Sequence, residues 1–173
     1  TFVSTLETAN GISVVPAVEF QNDVDLDSAG TGDTATTFDG NVTFNGLAAF
    51  DAGNSVDFGD APGTDTVDLS AGPVTIATTA NNGDLTFDST VDGGENLTLT
   101  TNGTGQIFLN GDVWGTTNLT QFTANADVIN LAANVIIDTS STGGTITFHV
   151  DGQILGGTNT IDYSTGEGTV TFV

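Results

Sequence analysis

The sequence contains no lysine, arginine, cysteine or methionine, and only three prolines, one histidine and one tryptophan. Its 22 acidic residues give a net charge of −22, which side-chain salt bridges cannot neutralise. Nucleic acid is excluded as a partner, and so are anionic membrane surfaces, because Lys and Arg supply most of the attraction to both. The lack of cysteine excludes disulfides. No apolar run approaches the roughly eighteen residues of a membrane span, so we expect no membrane insertion.

What is present favours β-structure. The chain has 173 residues, 37% of them hydrophobic, which is enough for one domain with a core. Thr, Val, Ile and Phe suit pleated strands, whereas Gly, Asn and Asp suit tight turns. We therefore predict a single all-β domain over residues 1–173. The chain begins at Thr1 without an initiator Met, which predicts a processed form or an excerpt of a longer protein.

Short bursts of alternating apolar and polar residues run along the whole chain. Each burst predicts a strand with one buried face. Asn-Gly, Asp-Gly, Gly-Gly and Thr-Gly pairs between the bursts predict turns. The clearest bursts are NVTFNG (41–46), DLTFDS (84–89), NLTLTT (96–101), TITFHV (145–150) and TVTFV (169–173).

The bursts recur with a regular spacing, and residues 105–122 partly repeat the wording of residues 83–99. Equivalent apolar positions recur about every 21 residues, and each period contains a strand, a turn, a second strand and a second turn. The register that gives this period comprises Phe2, Val24, Phe44, Val67, Phe87, Phe108, Ile129, Phe148 and Phe172.

A repeat of this length that cannot bury its own apolar face predicts a β-solenoid, that is, a parallel β-helix. In this interpretation Phe44, Phe87 and Phe108 form one continuous buried column, and outward Thr and Asn stack into ladders of like residues. The alternative is an antiparallel β-sandwich of the jelly-roll or immunoglobulin type, which also places strands at regular intervals. Residues 24–38 fit the period least well.

Residues 83–137 resemble the repeats of filamentous-haemagglutinin-like and autotransporter-like surface proteins. The likeness lies in GDLTF followed by a valine, a glycine pair and NLTL, and then in the glycine-rich turn and NGDVWG. The resemblance implies a right-handed parallel β-helix, secretion to an extracellular or cell-surface location, and a role as an adhesin or fibre. It supplies no catalytic residues, and this chain departs from many such proteins in lacking Lys and Arg.

A fainter resemblance is to the calcium-binding RTX nonapeptide repeats. GTDTVDLSAG (63–72) and GTNTIDYSTG (157–166) each look like one degenerate copy. The resemblance implies calcium binding by Asp65 and Asp68. RTX rolls need tandem copies, however, so ordinary solenoid corners are the alternative.

A second candidate calcium site lies in NDVDLD, where Asp23, Asp25 and Asp27 alternate. Alternation along a strand places the three carboxylates on one face, at steps of roughly 6–7 Å. Ca²⁺ prefers such oxygen ligands. The alternative is a solvated strand face that holds no metal, so Ca²⁺ is the one cofactor that the sequence suggests.

No catalytic constellation stands out. The only imidazole, His149, is predicted to face outward between Phe148 and Val150. A glycosidase needs only two carboxylates at a defined separation, but no pair is distinguished among the 22 acids. Trp114 lies at a predicted turn, where it either packs locally or stacks on a sugar. We therefore predict a protein that is not an enzyme.

Two functions remain. The first is an extracellular structural protein, a β-solenoid segment of a surface fibre or adhesin that assembles end to end with copies of itself or with neighbouring repeats. Open terminal coils would drive the assembly, and the residues predicted to form them are Phe2, Val3, Val170, Phe172 and Val173. The second is a module on the same scaffold that binds or cleaves host or matrix glycans, with Trp114 as the binding residue.

Overall fold

Almost all of the regular structure is β-strand. The computed structural model describes residues 13–15, 17–21, 24–26, 35–46, 48–52, 54–60, 64–78, 81–132, 134–140, 143–156 and 162–173. No helix in these ranges has both the length and the apolar character needed to cross a membrane.

The strands form three faces, which the chain visits in the order 1, 2, 3 on each turn. Face 1 comprises β1 (Ser13–Val14), β4 (Thr36–Phe38), β7 (Val56–Phe58), β10 (Leu85–Phe87) and β13 (Gln106–Leu109). Face 2 comprises β2 (Val18–Phe20), β5 (Val42–Asn45), β8 (Thr66–Ala71), β11 (Thr90–Asp92), β15 (Ile136–Asp138) and β17 (Asp162–Ser164). Face 3 comprises β3 (Val24–Leu26), β6 (Ala48–Ala52), β9 (Val74–Thr78), β12 (Asn96–Thr101) and β18 (Val170–Phe172).

Two long strands, β14 (Gln121–Leu131) and β16 (Thr145–Leu155), each serve two faces. Their first halves pair within face 3, and their second halves pair within face 1. The register between them shifts after Ala126, where the chain turns the corner. Faces 1 and 3 are therefore one continuous sheet at this end of the molecule.

Every strand pairing among the described residues is parallel. Each strand pairs with its equivalent one turn away, which is the pattern of a β-solenoid. The predicted β-solenoid is thus confirmed, and the antiparallel sandwich is excluded. Residues 24–38, predicted to be the least regular part, contribute β3 and β4 in ordinary register, while residues 27–34 lie outside the described ranges.

The turn is longer than predicted, because each turn contains three strands rather than two. Equivalent residues are about 24 positions apart rather than about 21. Val18, for example, pairs with Val42, and Val67 pairs with Val91. The predicted register of about 21 residues is wrong because its positions fall on different faces. Val67 is on face 2, whereas Phe87 is on face 1.

The core is a single stack of apolar side chains that point inward from all three faces. Rings fill its N-terminal half, where Phe38, Phe58 and Phe87 stack on face 1 with centroid separations of 5.4 and 5.0 Å. Leu, Ile and Val fill the middle. Rings return at the C-terminal end, where Phe148 stacks on Phe172 at 5.4 Å. Like side chains thus tend to lie over like, as the repeat requires.

The predicted column of Phe44, Phe87 and Phe108 is wrong. Phe44 and Phe87 are both fully buried, but they lie on faces 2 and 1 respectively. Phe108 points outward between Thr86 and Asn130 of the adjacent strands. Its neighbours Ile107 and Leu109 are the buried pair. In the run IFL the alternation alone leaves the phase open, and pairing with the next coil decides it.

Candidate functional site

A polar groove of about 310 Å³ opens on the outer surface of face 2. Parallel register places Thr43, Asp68 and Asp92 side by side along its floor. The loop after Trp114 forms one wall. The full lining comprises Asn41, Thr43, Thr66, Asp68, Asp92, Gly93, Thr116 and Thr117. The groove is therefore lined by hydroxyl, amide and carboxylate groups.

Asp92 is the most heavily bonded acid of this groove. Its Oδ2 accepts from the backbone N–H and the hydroxyl of Thr116 at 3.0 and 2.9 Å. Its Oδ1 accepts from the N–H groups of Thr117 and Gly93, both at 2.8 Å. Burial alone raises the pKa of Asp92, but these hydrogen bonds outweigh burial, and the pKa is lowered. Asp92 therefore binds the loop of the next coil as a carboxylate.

The same device recurs between coils and explains how acids are held without any cation. An Asp or Asn side-chain oxygen on one coil accepts a backbone N–H of the next coil, 22 to 25 residues later. Each such hydrogen bond gives the side-chain oxygen a donor and the backbone N–H an acceptor at the same time. The pairs, besides Asp92, are Asn41 with Thr66, Asn82 with Thr104, Asp84 with Gln106 and Asp112 with Ile136. The sequence contains one signal for these pairs. An Asp or Asn stands at a tight turn, and a second tight turn follows one solenoid coil later.

Of the residues predicted to bind calcium, Asp65 and Asp68 are both described, and they have different surroundings. Burial, and then the charge of Asp92, raises the pKa of Asp68. Asp65 accepts hydrogen bonds at its own turn, from Thr64 Oγ1 at 3.3 Å and from the Asp60 N–H at 3.4 Å. Across the described ranges, no three acidic or histidine side chains converge as metal ligands.

The other candidate calcium ligands are only partly described. Asp25 is in β3, in register with Asp51 of β6. Asp23 and Asp27 lie outside the described ranges. Calcium binding by this chain therefore stays a prediction.

The most strongly perturbed acid, Asp57, lies on face 1. It occupies the outward position of β7, between Thr37 and Thr86 of the adjacent strands. Burial raises the pKa of Asp57 to about 6, and the charges of Asp88 and Asp39 add to the effect. Its Oδ1 is buried, and within the described part of the chain it has no hydrogen-bond partner. At neutral pH this carboxylate is destabilising.

Asp57→Asn is expected to raise the free energy of unfolding at about pH 7, by about 1 kcal/mol after allowance for solvent screening. The folded pKa of about 6 lies above the unfolded value, so the stability linked to Asp57 is present below about pH 4 and is lost as the pH rises through about 6. The measurement is urea unfolding at several pH values. The gain over wild type should shrink as the pH falls to about 4.

Asp92→Asn supplies the control of opposite sign. The pKa of Asp92 is lowered, so its stabilisation is present above the unfolded pKa and is lost only as the pH falls below about 4. This variant should be less stable than wild type at neutral pH. Equal shifts in the two variants at every pH would contradict the assignment of both groups.

Trp114 lies on face 2, in the coil between the one that contains Asp92 and the one that contains Asp138. It follows Val113, which bridges to Ile137 of the next coil. The indole is mostly covered, and its Nε1 is buried with no hydrogen-bond partner among the described residues. Trp114 is not part of the groove lining, so glycan binding by this residue stays a prediction.

The C-terminal end of the stack is an apolar surface. Phe172 is 58% exposed and Val173 69%, although Phe172 has the inward phase of its ladder. Val170 and Tyr163 pack against the core and complete this end. Of the residues predicted for assembly, Val170, Phe172 and Val173 thus lie together, whereas Phe2 and Val3 lie outside the described ranges.

Two surfaces therefore stand out, the polar groove of face 2 and the apolar end formed around Phe172. In the groove, Asp92 is already hydrogen-bonded to a loop of the protein itself. The rings at the C-terminal end, in contrast, are not covered by another coil among the described residues. The chemistry of these surfaces has to be inferred from their own geometry. No protein-family model, curated protein or solved structure matches this chain.

Proposed function

We propose that this protein is a non-enzymatic structural segment of an extracellular surface fibre or adhesin, which extends by stacking coil on coil at its C-terminal end. The observation that carries the proposal is the exposure of Phe172, a residue with the phase of the buried core. The resemblance of residues 83–137 to filamentous-haemagglutinin-like repeats supports the extracellular location.

The C-terminal end offers backbone as well as side chains to the next coil. Among the described strands, β18 pairs only with β16 and β17 only with β15. The other edge of each carries N–H and C=O groups that another parallel strand can bind. Phe148 lies parallel to Phe172, with an interplanar angle of 10°, so a further ring would continue the same stack.

The occupant we propose is the first coil of a second copy. At the N-terminal end, β1, β2 and β3 each pair on one side only within the described part. An end that joins the opposite end of an identical molecule makes a contact that does not close, and such contacts produce filaments. In a longer chain, neighbouring repeats would use the same surfaces.

Charge opposes this assembly, because each copy carries a net charge of −22. Salt screens that repulsion over about 8 Å at about 0.15 M ionic strength and over about 3 Å at 1 M. Apolar contacts between the ends are not weakened by salt in this way. We therefore expect assembly to increase with salt concentration.

The experiment is sedimentation velocity and negative-stain microscopy of the purified chain over a series of salt concentrations. Wild type should form rods that lengthen with salt, and Phe172→Asp should stay monomeric. Phe108→Asp is the matched control, since it places the same charge on the side of the solenoid, and it should assemble like wild type. A wild-type chain that is monomeric throughout, or two variants that behave alike, would refute end-to-end stacking.

A further inference from the structure

Face 3 carries an unbroken row of threonines on its outer surface. Parallel register aligns one outward threonine from each successive strand between β9 and β18. The row comprises Thr75, Thr98, Thr123, Thr147 and Thr171. It realises the ladder of like residues that the repeat predicts, and it extends over five consecutive strand positions.

The hydroxyls of this row are free to bind something outside the protein. None of the five donates or accepts a hydrogen bond within the described part of the chain. Threonines at the corners behave differently. Thr78 donates to Gly83 O at 2.6 Å, and Thr120 donates to Gly94 O at 2.7 Å. The row is therefore a set of unused hydroxyls on a regular sheet.

Between β9 and β18 the threonine row and the two rows beside it contain no carboxylate, although the chain has 22 acids and Asp51, Asp127 and Asp151 lie at the edges of these rows. The row on one side consists of Asn96, Gln121 and Thr145, and the row on the other side consists of Ala77, Thr100, Asn125 and His149. Faces 1 and 2, by contrast, carry outward acids such as Asp57, Asp68 and Asp92. The part of face 3 between β9 and β18 thus presents three neutral, hydrogen-bonding rows, whereas β3 and β6 of the same face contain Asp25 and Asp51.

The spacing of the row is within about 0.3 Å per step of a spacing found in ordered water. Adjacent strands are about 4.8 Å apart, so neighbouring hydroxyls repeat at about that distance. Oxygen atoms joined by hydrogen bonds of roughly 2.75 Å in a tetrahedral lattice have their second neighbours at about 4.5 Å. Threonine is stiff at χ1, which helps the row to keep its spacing. No Phe, Tyr or Trp lies at the outward positions that pair on this face between Val74 and Phe172, which argues against stacking on sugars.

We infer that the outer surface of face 3, from β9 to β18, binds ice. The five threonine hydroxyls take the places of lattice oxygens, the exposed amide of Gln121 extends the contact, and the lack of charge within these rows spares them a strongly held, disordered hydration layer. A single chain carries the whole surface. The inference therefore goes beyond the proposed function and does not depend on end-to-end assembly.

The test is cold-stage microscopy of single ice crystals in solutions of the purified chain, which measures the gap between melting and growth temperatures and the crystal shape. Wild type should shape the crystals and open a gap. Thr123→Tyr places a bulky neutral group in the middle of the row and should abolish both effects, whereas Thr123→Ser should retain part of them. Thr86→Tyr, an outward threonine on face 1, is the matched control and should behave like wild type.

Circular dichroism shows whether each variant folds, and Thr75→Tyr, at an exposed position of the same row, replaces Thr123→Tyr if that variant does not fold. Crystals that grow unshaped in wild type would overturn the inference. So would an equal loss in Thr86→Tyr. Two other outcomes would also overturn it, namely binding of the row to insoluble neutral polysaccharide, or dimerisation through it, without any effect on ice. Phe172→Asp should keep ice binding, which separates this result from failure of the assembly proposal.

Discussion

Phe58→Ala is expected to lower the free energy of unfolding by about 3–5 kcal/mol, the usual range when a fully buried phenylalanine is truncated. Phe58 is completely buried at the centre of the N-terminal ring stack. It stacks on Phe38 with an interplanar angle of 11° and on Phe87 with one of 21°. Phe50 lies beside it on face 3, with the ring centroids 5.8 Å apart. Removing the ring leaves a cavity on three sides, because coils fixed by backbone pairing cannot close around it.

The measurement is chemical unfolding followed by circular dichroism at several denaturant concentrations. Phe108→Ala is the matched control, because Phe108 belongs to face 1 but points outward. Its loss should be within about 0.5 to 1 kcal/mol, as for other surface substitutions. In a solenoid each coil contacts only its neighbours, so the damage at Phe58 should destabilise the N-terminal coils most. Equal losses at positions 58 and 108 would mean that the two rings are equally buried.

The fold could be predicted largely from the sequence, because regular bursts between glycine-rich turns specify a solenoid whatever their exact phase. The length of each turn could not be predicted, because the sequence pattern shows two strands per turn whereas each turn contains three. Val113, for example, forms only an isolated bridge to Ile137 and has no strand pattern of its own. Phe108 shows the second limit, because in a run such as IFL only the adjacent coils decide which residues face inward.

The surfaces were less predictable than the core. The exposed C-terminal ring of Phe172 could be expected from the apolar sequence of the last strand. The clamp by Asp92 and the row through Thr123 did not, because each depends on residues that lie one turn apart and meet only through register. A turn of about 24 residues, known in advance, would have aligned both. Spacing between coils, rather than composition, carries the functional information.

Gly144→Ala is expected to destabilise the protein by about 3 kcal/mol, the upper end of the usual range for overpacking. Gly144 is buried at the corner that leads into β16, and an added Cβ would fall on the carbonyl oxygen of Thr120 in the adjacent coil. The next coil repeats the arrangement, since a Cβ at Gly168 would fall on Gly144 O. Gly144 has no positive φ, so the requirement for glycine here is the close approach of two backbones.

Gly94→Ala is the matched control for Gly144→Ala, since its Cβ would meet only Thr117 Cγ2 at 3.4 Å. Its effect should be within about 0.5 kcal/mol. Thermal unfolding of the two variants beside wild type gives the comparison. The methyl group at position 144 has to separate β14 from β16 or bend one of them, and either change disturbs the long pair that joins faces 1 and 3. A Gly144→Ala chain that melts with wild type would show that these coils do not approach so closely, and the alignment of Thr123 with Thr147 would lose its basis.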